Sequence, residues 1–317
     1  MKAAAIFGPG DVRVMDIAKP SPGPGELLIE VKACGLCSSE LGMWNDPNFK
    51  TAEPIFFGHE VSGIVVALGE GAGRFAVGDR VTIFTDRGGY AEFVSVPEEW
   101  AIKLADHVPF DWALGEPIGC AMNGTARSGI EVGDTVVLIG VGFMGGLILQ
   151  GARLKGATRI IAVDTRPESI ELAGKLGADA VIDATKEDAV ARILELTDGE
   201  GADVVIEATG KQGALDTATE AVRIRGRLVI FGYHQGGKRM IDVQAWNWKG
   251  LDVINAHERD PQAYLKGIRT GMKLLESGQL AIAPLLSHYY GLQDINAAFE
   301  AAKGKTEGFL KAVITFE

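Results

Sequence analysis

Cysteine is scarce in this chain, with three residues among 317. Cys34, Cys37 and Cys120 are too few for a disulfide framework and fit a reducing compartment. Long apolar runs are missing too. None approaches the roughly 20 residues of a membrane-spanning helix, so no membrane partner is expected. No basic block stands out among 42 acidic and 31 basic side chains, and the net charge is −11. That balance argues against nucleic acid or an anionic membrane surface as a partner. The opening MKAAAIFGPGDVRV reads as strand, turn and strand. It lacks the charged and apolar regions of a secretory signal, so a cytoplasmic location is expected. Internal repeats and low-complexity tracts are also missing. What remains is 47% hydrophobic and 23% charged, an ordinary globular composition long enough for two domains.

The stretch Thr135 to Asp164, TVVLIGVGFMGGLILQGARLKGATRIIAVD, organises the rest. Val136 to Ile139 is a short apolar run of the kind buried on both faces of a parallel sheet. Gly140, Gly142 and Gly145 follow at G-x-G-x-x-G spacing, and a helical pattern starts at Phe143. A second apolar run, Ile160 to Val163, ends on Asp164, 24 residues after Gly140. This is the order of a dinucleotide site. Gly140 allows a tight turn, Gly142 lets the backbone approach a pyrophosphate, and Gly145 lets helix pack on strand. The helix N-terminus offers N–H groups and positive dipole to the phosphates. Asp164 is placed to accept both hydroxyls of an adenosine ribose, and its charge would repel a 2′-phosphate. NAD is therefore expected over NADP, a preference that nearby Arg166 weakens a little. Arg166 fits either adenine stacking or plain surface.

Before this stretch, residues 1 to about 110 are short β-like segments between Gly and Pro turns. Leu27–Ala33, Val61–Leu68, Arg80–Phe84 and Tyr90–Val96 read as strands. They predict a compact β-rich domain, a partly open barrel. Helical patterning covers Asp111–Ser128. After the glycine stretch, helices over Ser169–Leu176, Lys186–Leu196 and Ala214–Arg223 alternate with strands. Those strands are Ala180–Ile182, Val204–Glu207, Arg227–Phe231 and Leu251–Asn255. The alternation predicts a doubly wound parallel sheet, an α/β fold. A helix over Pro261–Glu276 follows, and the closing FLKAVITFE reads as β again, returning to the first domain.

Three segments of the β-rich part carry side chains able to hold a metal. Cys37 lies in A-C-G-L-C-S-S-E, where a strand ends and a helix begins, and Gly58-His59-Glu60 follows 21 to 23 residues later. Leu114-Gly115-Glu116-Pro117 stands just before the dinucleotide segment. Thiolate, imidazole and carboxylate form a ligand mix that suits zinc, and three protein ligands with one open position make such a site catalytic. Cys34-x-x-Cys37 also has the spacing of a redox pair, but its surroundings lack that fold's pattern.

With these segments stand the G-D-R-V turn at Gly78–Val81, E-P-I-G-C at Glu116–Cys120, I-E-A-T-G at Ile206–Gly210 and G-R-L-V-I-F-G at Gly226–Gly232. In this order, over nearly the whole length, the chain resembles the zinc-containing medium-chain dehydrogenase/reductase superfamily of alcohol, sorbitol and threonine dehydrogenases. The resemblance implies a GroES-like catalytic domain at residues 1–117 and 262–317 and a Rossmann NAD-binding domain at 118–261, with the substrate cleft between them. It implies that Cys37 and His59 ligate zinc, with Glu116 at a position that is Cys in many alcohol dehydrogenases and Glu in the sorbitol-type branch. Glu60 matches a carboxylate able to ligate as well, or to act from behind the ligands. Ser39 matches the hydroxyl that carries the substrate proton away, and Glu40 is placed to orient His59. Cofactor contacts are implied at Gly140, Gly142, Phe143, Met144, Gly145, Asp164, Arg166, Thr209, Gly232 and Tyr233; Tyr233 and His234 fit solvent exposure as well.

Two departures matter. The next proton-relay member of the family, a His, is replaced by Gly42, and the four-cysteine lobe that holds a structural zinc is absent, since Val81 to Ala91 has no cysteine. One zinc per chain is expected. His107, His257, His288 and Cys120 are expected to be structural. Trp44 is the foremost of three tryptophans, with Trp246 and Trp248, that could line a cleft or pack in the core. The expected activity is zinc-dependent hydride transfer between a secondary alcohol or polyol and NAD(H), by a homodimer or homotetramer. Two alternatives stand beside it, a zinc-free NADPH reductase of the same fold and a non-catalytic dinucleotide-binding protein.

Overall fold

A computed structural model describes residues 1–316. In chain order come β1 (Lys2–Gly8), β2 (Asp11–Asp16), β3 (Glu26–Gly35), α1 (Ser38–Asn45), β4 (Ile55–Phe56), β5 (Glu60–Leu68), β6 (Arg80–Phe84), β7 (Phe93–Pro97) and β8 (Ala101–Lys103). Then follow α2 (Gly115–Arg127), β9 (Thr135–Ile139), α3 (Phe143–Lys155), β10 (Arg159–Asp164), α4 (Pro167–Lys175), β11 (Ala180–Asp183) and α5 (Ala189–Leu196). The chain continues through β12 (Ala202–Glu207), α6 (Gln212–Ala221), β13 (Val222–Ile230), α7 (Val243–Lys249), β14 (Asp252–Asn255) and α8 (Pro261–Glu276). It closes with β15 (His288–Gly291), α9 (Ile295–Gly304) and β16 (Ala312–Thr315). Two compact units result: Met1–Gly119 with the segment from Tyr264 on, and Cys120–Ala263.

The first unit is β-rich. A sheet runs β15-β16-β3-β5-β6-β8, with β7 also paired to β3, and a smaller sheet runs β2-β1-β4. The long antiparallel pairing of β3 with β5 places Gly35 opposite Glu60 and Cys34 opposite Val61. Strand ends that carry chemistry are thereby brought side by side. Leu27, Ile29 and Val31 alternate inward along β3, and Val61 and Val65 do so on β5. Phe57, Tyr90 and Phe299 pack with them, and Trp44 stacks on Phe299 at 5.7 Å between centroids. At 2% exposure Trp44 is a core residue, not a cleft-liner. α9, which the β-like reading of the chain end missed, buries Ile295, Ala298, Phe299 and Ala302 at helical spacing against this core.

The second unit is a six-stranded parallel sheet in the order β11-β10-β9-β12-β13-β14. Counted along the sheet this is 3-2-1-4-5-6, and the strand order reverses between β9 and β12. Val136 to Leu138 and Ile160 to Ala162 are fully buried, as their unbroken apolar runs require. α6 ends at Ala221, two residues short of the expected Arg223, because Val222 already pairs with Ala202 in the sheet. α2 starts at Gly115 instead of Asp111, since Phe110–Trp112 forms a separate 3₁₀ turn. α7 and its Trp246 pack on the sheet, the indole N–H donating to Thr219 Oγ1 at 3.0 Å, whereas Trp248 is exposed.

Candidate metal centre and dinucleotide turn

In the first unit, β3 ends at Gly35, and Cys37 becomes the N-cap of α1. The helix thus begins at Ser38, and Ser39 does not cap it. Its exposed hydroxyl donates instead to Cys37 Sγ at 3.2 Å. His59 stands just before β5 and Glu60 is its first residue. The ligand atoms of Cys37, His59 and Glu60 lie within 4.8 Å of one another, the one such group of three among the described residues. Glu116 is outside that group. It sits in the first turn of α2, whose start is pressed onto β6: Gly115 N–H donates to Thr82 Oγ1 at 3.0 Å, and a Cβ there would meet the same oxygen at 2.4 Å. The carboxylate that joins Cys37 and His59 is the one that β3–β5 pairing carries there.

Each buried acid of the cluster is matched. Lys311, which precedes β16, is 6% exposed, and its Nζ donates to Glu60 Oε1 at 2.7 Å and to the Leu36 carbonyl at 2.9 Å. Glu60 Oε2 lies 2.5 Å from the same nitrogen but off the hydrogen-bonding direction, so that contact is ionic only. Burial opposes the Lys311 charge, yet the Glu60 carboxylate and Cys37 sulfur outweigh it and hold the ammonium above its ordinary pKa. Glu40, buried in α1, accepts from Gly58 N–H at 2.9 Å through Oε1, which lies 3.2 Å from His59 Nδ1. Burial likewise disfavours the charged His59 ring, but hydrogen bonding to Cys37 and Glu40 wins and lifts its pKa well above the usual value. Sulfur, imidazole nitrogen and carboxylate oxygen, with one buried carboxylate oxygen lacking a directed hydrogen bond, fit a zinc ion.

In the second unit the glycines behave as the chemistry of the turn demands. Gly140 has φ +96° and a Cβ there would strike Thr209 at 2.6 Å. A Cβ on Gly145 would lie 2.0 Å from the Gly140 carbonyl oxygen, so α3 can approach the turn only with glycine there. Gly142 is the N-cap of α3, which starts at Phe143 and Met144 and carries no side-chain cap. Its first N–H groups are therefore not satisfied by a side chain. Asp164 ends β10 and ties the turn: Oδ2 accepts from Val141 N–H at 2.7 Å, and Oδ1 from Thr165 and Arg166 N–H at 2.7 and 3.0 Å. Arg166 reaches across to Gly142, 3.5 Å from where a Cβ would stand, and bonds Glu168 and Ser169. It is part of the turn's wall rather than free surface.

One group sequence reasoning passed over is Glu207, fully buried at the end of β12. Its Oε1 accepts from Thr209 N–H and hydroxyl and from Gly210 N–H, at 2.5 to 2.8 Å. Its Oε2 lies 2.9 Å from His234 Nε2, and Arg239 Nε donates to His234 Nδ1 at 3.2 Å. His234 thus turns inward, while Tyr233 is exposed and tilted against His257. The signal was an acid ending an apolar run, V-V-I-E. Gly232 completes this edge; a Cβ there would meet Gly210 N at 2.3 Å. His107 Nε2 lies 3.1 Å from the Glu276 carbonyl, and His288 lies 2.9 Å from the Ser287 hydroxyl and packs against Tyr290 and Phe309.

Residues 23–106 match the model of the alcohol dehydrogenase GroES-like domain, and residues 143–270 match that of the zinc-binding dehydrogenases. The chain is 33% identical to the erythritol/L-threitol dehydrogenase of Mycolicibacterium smegmatis, over 96% of its own length and 95% of that protein's. It is 32% identical to the L-threonine 3-dehydrogenase of Pyrococcus abyssi, over 96% and 95%. Among solved structures, 2R,3R-butanediol dehydrogenase from Bacillus subtilis superposes with a TM-score of 0.87 at 29% identity, covering 100% of this chain and 99% of that one. A zinc-binding dehydrogenase homologue from Sinorhizobium meliloti bound to NADP gives 0.90 at 27%, covering 99% of each.

Replacing Lys311 by Met leaves Glu60 buried without its cation. By the usual cost of breaking a buried pair, about 3–5 kcal/mol, the metal-free variant should lose that much stability in urea unfolding. An unchanged midpoint and slope would show that Glu60 does not depend on Lys311.

Proposed function

The chain belongs to the zinc-containing medium-chain dehydrogenase/reductase superfamily, and from that membership we propose that it is a zinc-dependent dehydrogenase that oxidises a secondary alcohol or polyol with NAD. The observation that carries the reading is the convergence of Cys37, His59 and Glu60 within 4.8 Å. Cys37 and His59 hold the ion, with a carboxylate from Glu60 or Glu116 as the third ligand. Zinc held there supplies Lewis-acid polarisation of the substrate hydroxyl, which lowers its pKa. NAD supplies the hydride acceptor.

The chain's own residues do the rest. Glu40 keeps the His59 ring turned so that one nitrogen faces the carboxylate and the other is left for the ion. Lys311 pairs with Glu60 and, through the Leu36 carbonyl, ties it to the segment that carries Cys37. Ser39, whose hydroxyl already lies against the Cys37 sulfur, takes the substrate proton and gives its own to water. Gly42 leaves no imidazole to extend that path. In the second unit the N-terminus of α3 receives the pyrophosphate on N–H groups of Phe143, Met144 and Gly145. Asp164 accepts from the adenosine ribose, Arg166 borders it, and Thr209, Gly232 and Tyr233 lie at the carboxyl edge of the sheet where the nicotinamide end is held. Relatives named as dehydrogenases of erythritol/L-threitol, L-threonine and (R,R)-butanediol support an alcohol or polyol as the substrate class. A cytoplasmic homodimer or homotetramer is part of the same reading.

Cys37→Ala should abolish stoichiometric zinc and turnover while NADH binding, read by fluorescence titration, stays close to wild type; full activity without zinc would refute the site. Asp164→Ala loosens the turn for either cofactor, so the ratio is the readout. Losing charged hydrogen bonds worth about 1.5–3 kcal/mol should lower the NADH/NADPH affinity ratio about 10- to 100-fold. A ratio that does not move would remove Asp164 from the ribose.

A further inference from the structure

The Glu40 carboxylate is saturated. Oε1 accepts from Gly58 N–H at 2.9 Å and lies 3.2 Å from His59 Nδ1; Oε2 accepts from the Tyr90 hydroxyl at 2.5 Å and from Cys37 N–H at 3.3 Å. A carboxylate offers about four such positions, and here each has a donor. Three of the four belong to the segments that carry the candidate ligands. The shortest comes from Tyr90, 50 residues away in sequence and fully buried.

Tyr90 is anchored independently of Glu40. Its N–H donates to the Phe57 carbonyl at 3.1 Å, and Gly89 N–H donates to the Gly58 carbonyl at 2.9 Å. Gly58 has φ +92°, and a Cβ there would strike Tyr90 N at 2.6 Å. A Cβ on Gly89 would meet Val61 Cγ2 at 2.4 Å. This close backbone clasp joins the tyrosine to the loop that ends in His59. The ring meets Phe57 edge-on at 4.9 Å and Phe299 at 6.4 Å, which fixes its plane. The hydroxyl thereby lies between Glu40 Oε2 at 2.5 Å and the Gly35 carbonyl at 3.2 Å, with the carboxylate the nearer acceptor.

We propose that Tyr90 is a positioning residue of the metal centre: its hydroxyl locks Glu40 in the orientation that keeps His59 protonated on Nδ1, leaving Nε2 for the ion. The proposal rests on the reading of Cys37, His59 and Glu60 as a zinc site. Without the hydroxyl, Oε2 retains one long N–H bond in a buried setting. The carboxylate then turns, and its hold on the imidazole weakens. Cys37 is touched as well, since the same oxygen accepts from its backbone N–H.

The test is zinc affinity, measured by chelator competition on metal-stripped, folded protein. Tyr90→Phe removes one oxygen and keeps the ring packing. The expected loss is about 10- to 100-fold, the usual effect of disturbing a partner behind a metal-bound histidine. In a Glu40→Gln background the same change should produce no further loss, because Tyr90 acts through Glu40. Cobalt loaded into Tyr90→Phe should keep its sulfur charge-transfer band, since Cys37 still binds. In the unaltered zinc protein, ¹⁵N spectra should show His59 in the single Nδ1-protonated tautomer, a measurement that stands even if the phenylalanine variant does not fold. Wild-type zinc affinity in Tyr90→Phe, an equal added loss in the Glu40→Gln background, or an Nε2-protonated His59 would each overturn the proposal. Because Cys37→Ala removes zinc whatever Tyr90 does, failure of this proposal is distinguishable from failure of the metal reading.

Discussion

The first unit is shaped by the need to match two buried glutamates that flank one histidine. A carboxylate taken out of water costs several kcal/mol unless its lone pairs are satisfied. Glu40 is satisfied by four donors from three separate segments, and Glu60 by an ammonium from the end of the chain. Those same partners bring the Cys37 turn, the His59 loop, the Tyr90 clasp and β16 into one place. The cluster that fits a cation is therefore inseparable from the charge matching that lets the unit fold.

The second unit applies the same constraint at a different edge. Glu207 is fully buried and draws the loop after β12 and the loop after β13 onto one carboxylate, the second through His234. Arg239 Nε donates to Nδ1, which leaves Nε2 as the nitrogen that faces Glu207. Asp164 does comparable work beside the glycine turn with three backbone donors. Acids at the carboxyl ends of β10 and β12 thus organise the loops on which a doubly wound sheet receives its ligand.

Much of this was legible before any coordinates. The glycine turn, its flanking strands and Asp164 are local in sequence, and their spacing carries the geometry with it. Cys37, His59 and Glu60 stand in short segments whose residue types already suggest a metal. What escaped was non-local. Tyr90 and Lys311 carry no periodic or spacing signal; their roles come from side-chain hydrogen bonds across 50 and 251 residues. Tyr90 read as the start of a strand, but its N–H goes to the Phe57 carbonyl and its carbonyl accepts from Ala4 N–H, and β7 begins only at Phe93. Glu116 was grouped with the ligands on residue type and then on resemblance; its place depends on where α2 begins after the 3₁₀ turn, which the periodicity of residues 111–128 did not resolve. α9 was readable: I-N-A-A-F-E-A-A has apolar residues at helical spacing, hidden by the β-like run at the chain's end.

The central claim is that one sulfur, one imidazole and a carboxylate of the first unit share a single ion. X-ray absorption at the zinc edge of the metal-loaded protein tests it directly. One sulfur at about 2.3 Å with the remaining ligands nitrogen and oxygen at about 2.0–2.2 Å is the expected shell. A shell without sulfur, or one built from several sulfurs, would contradict it.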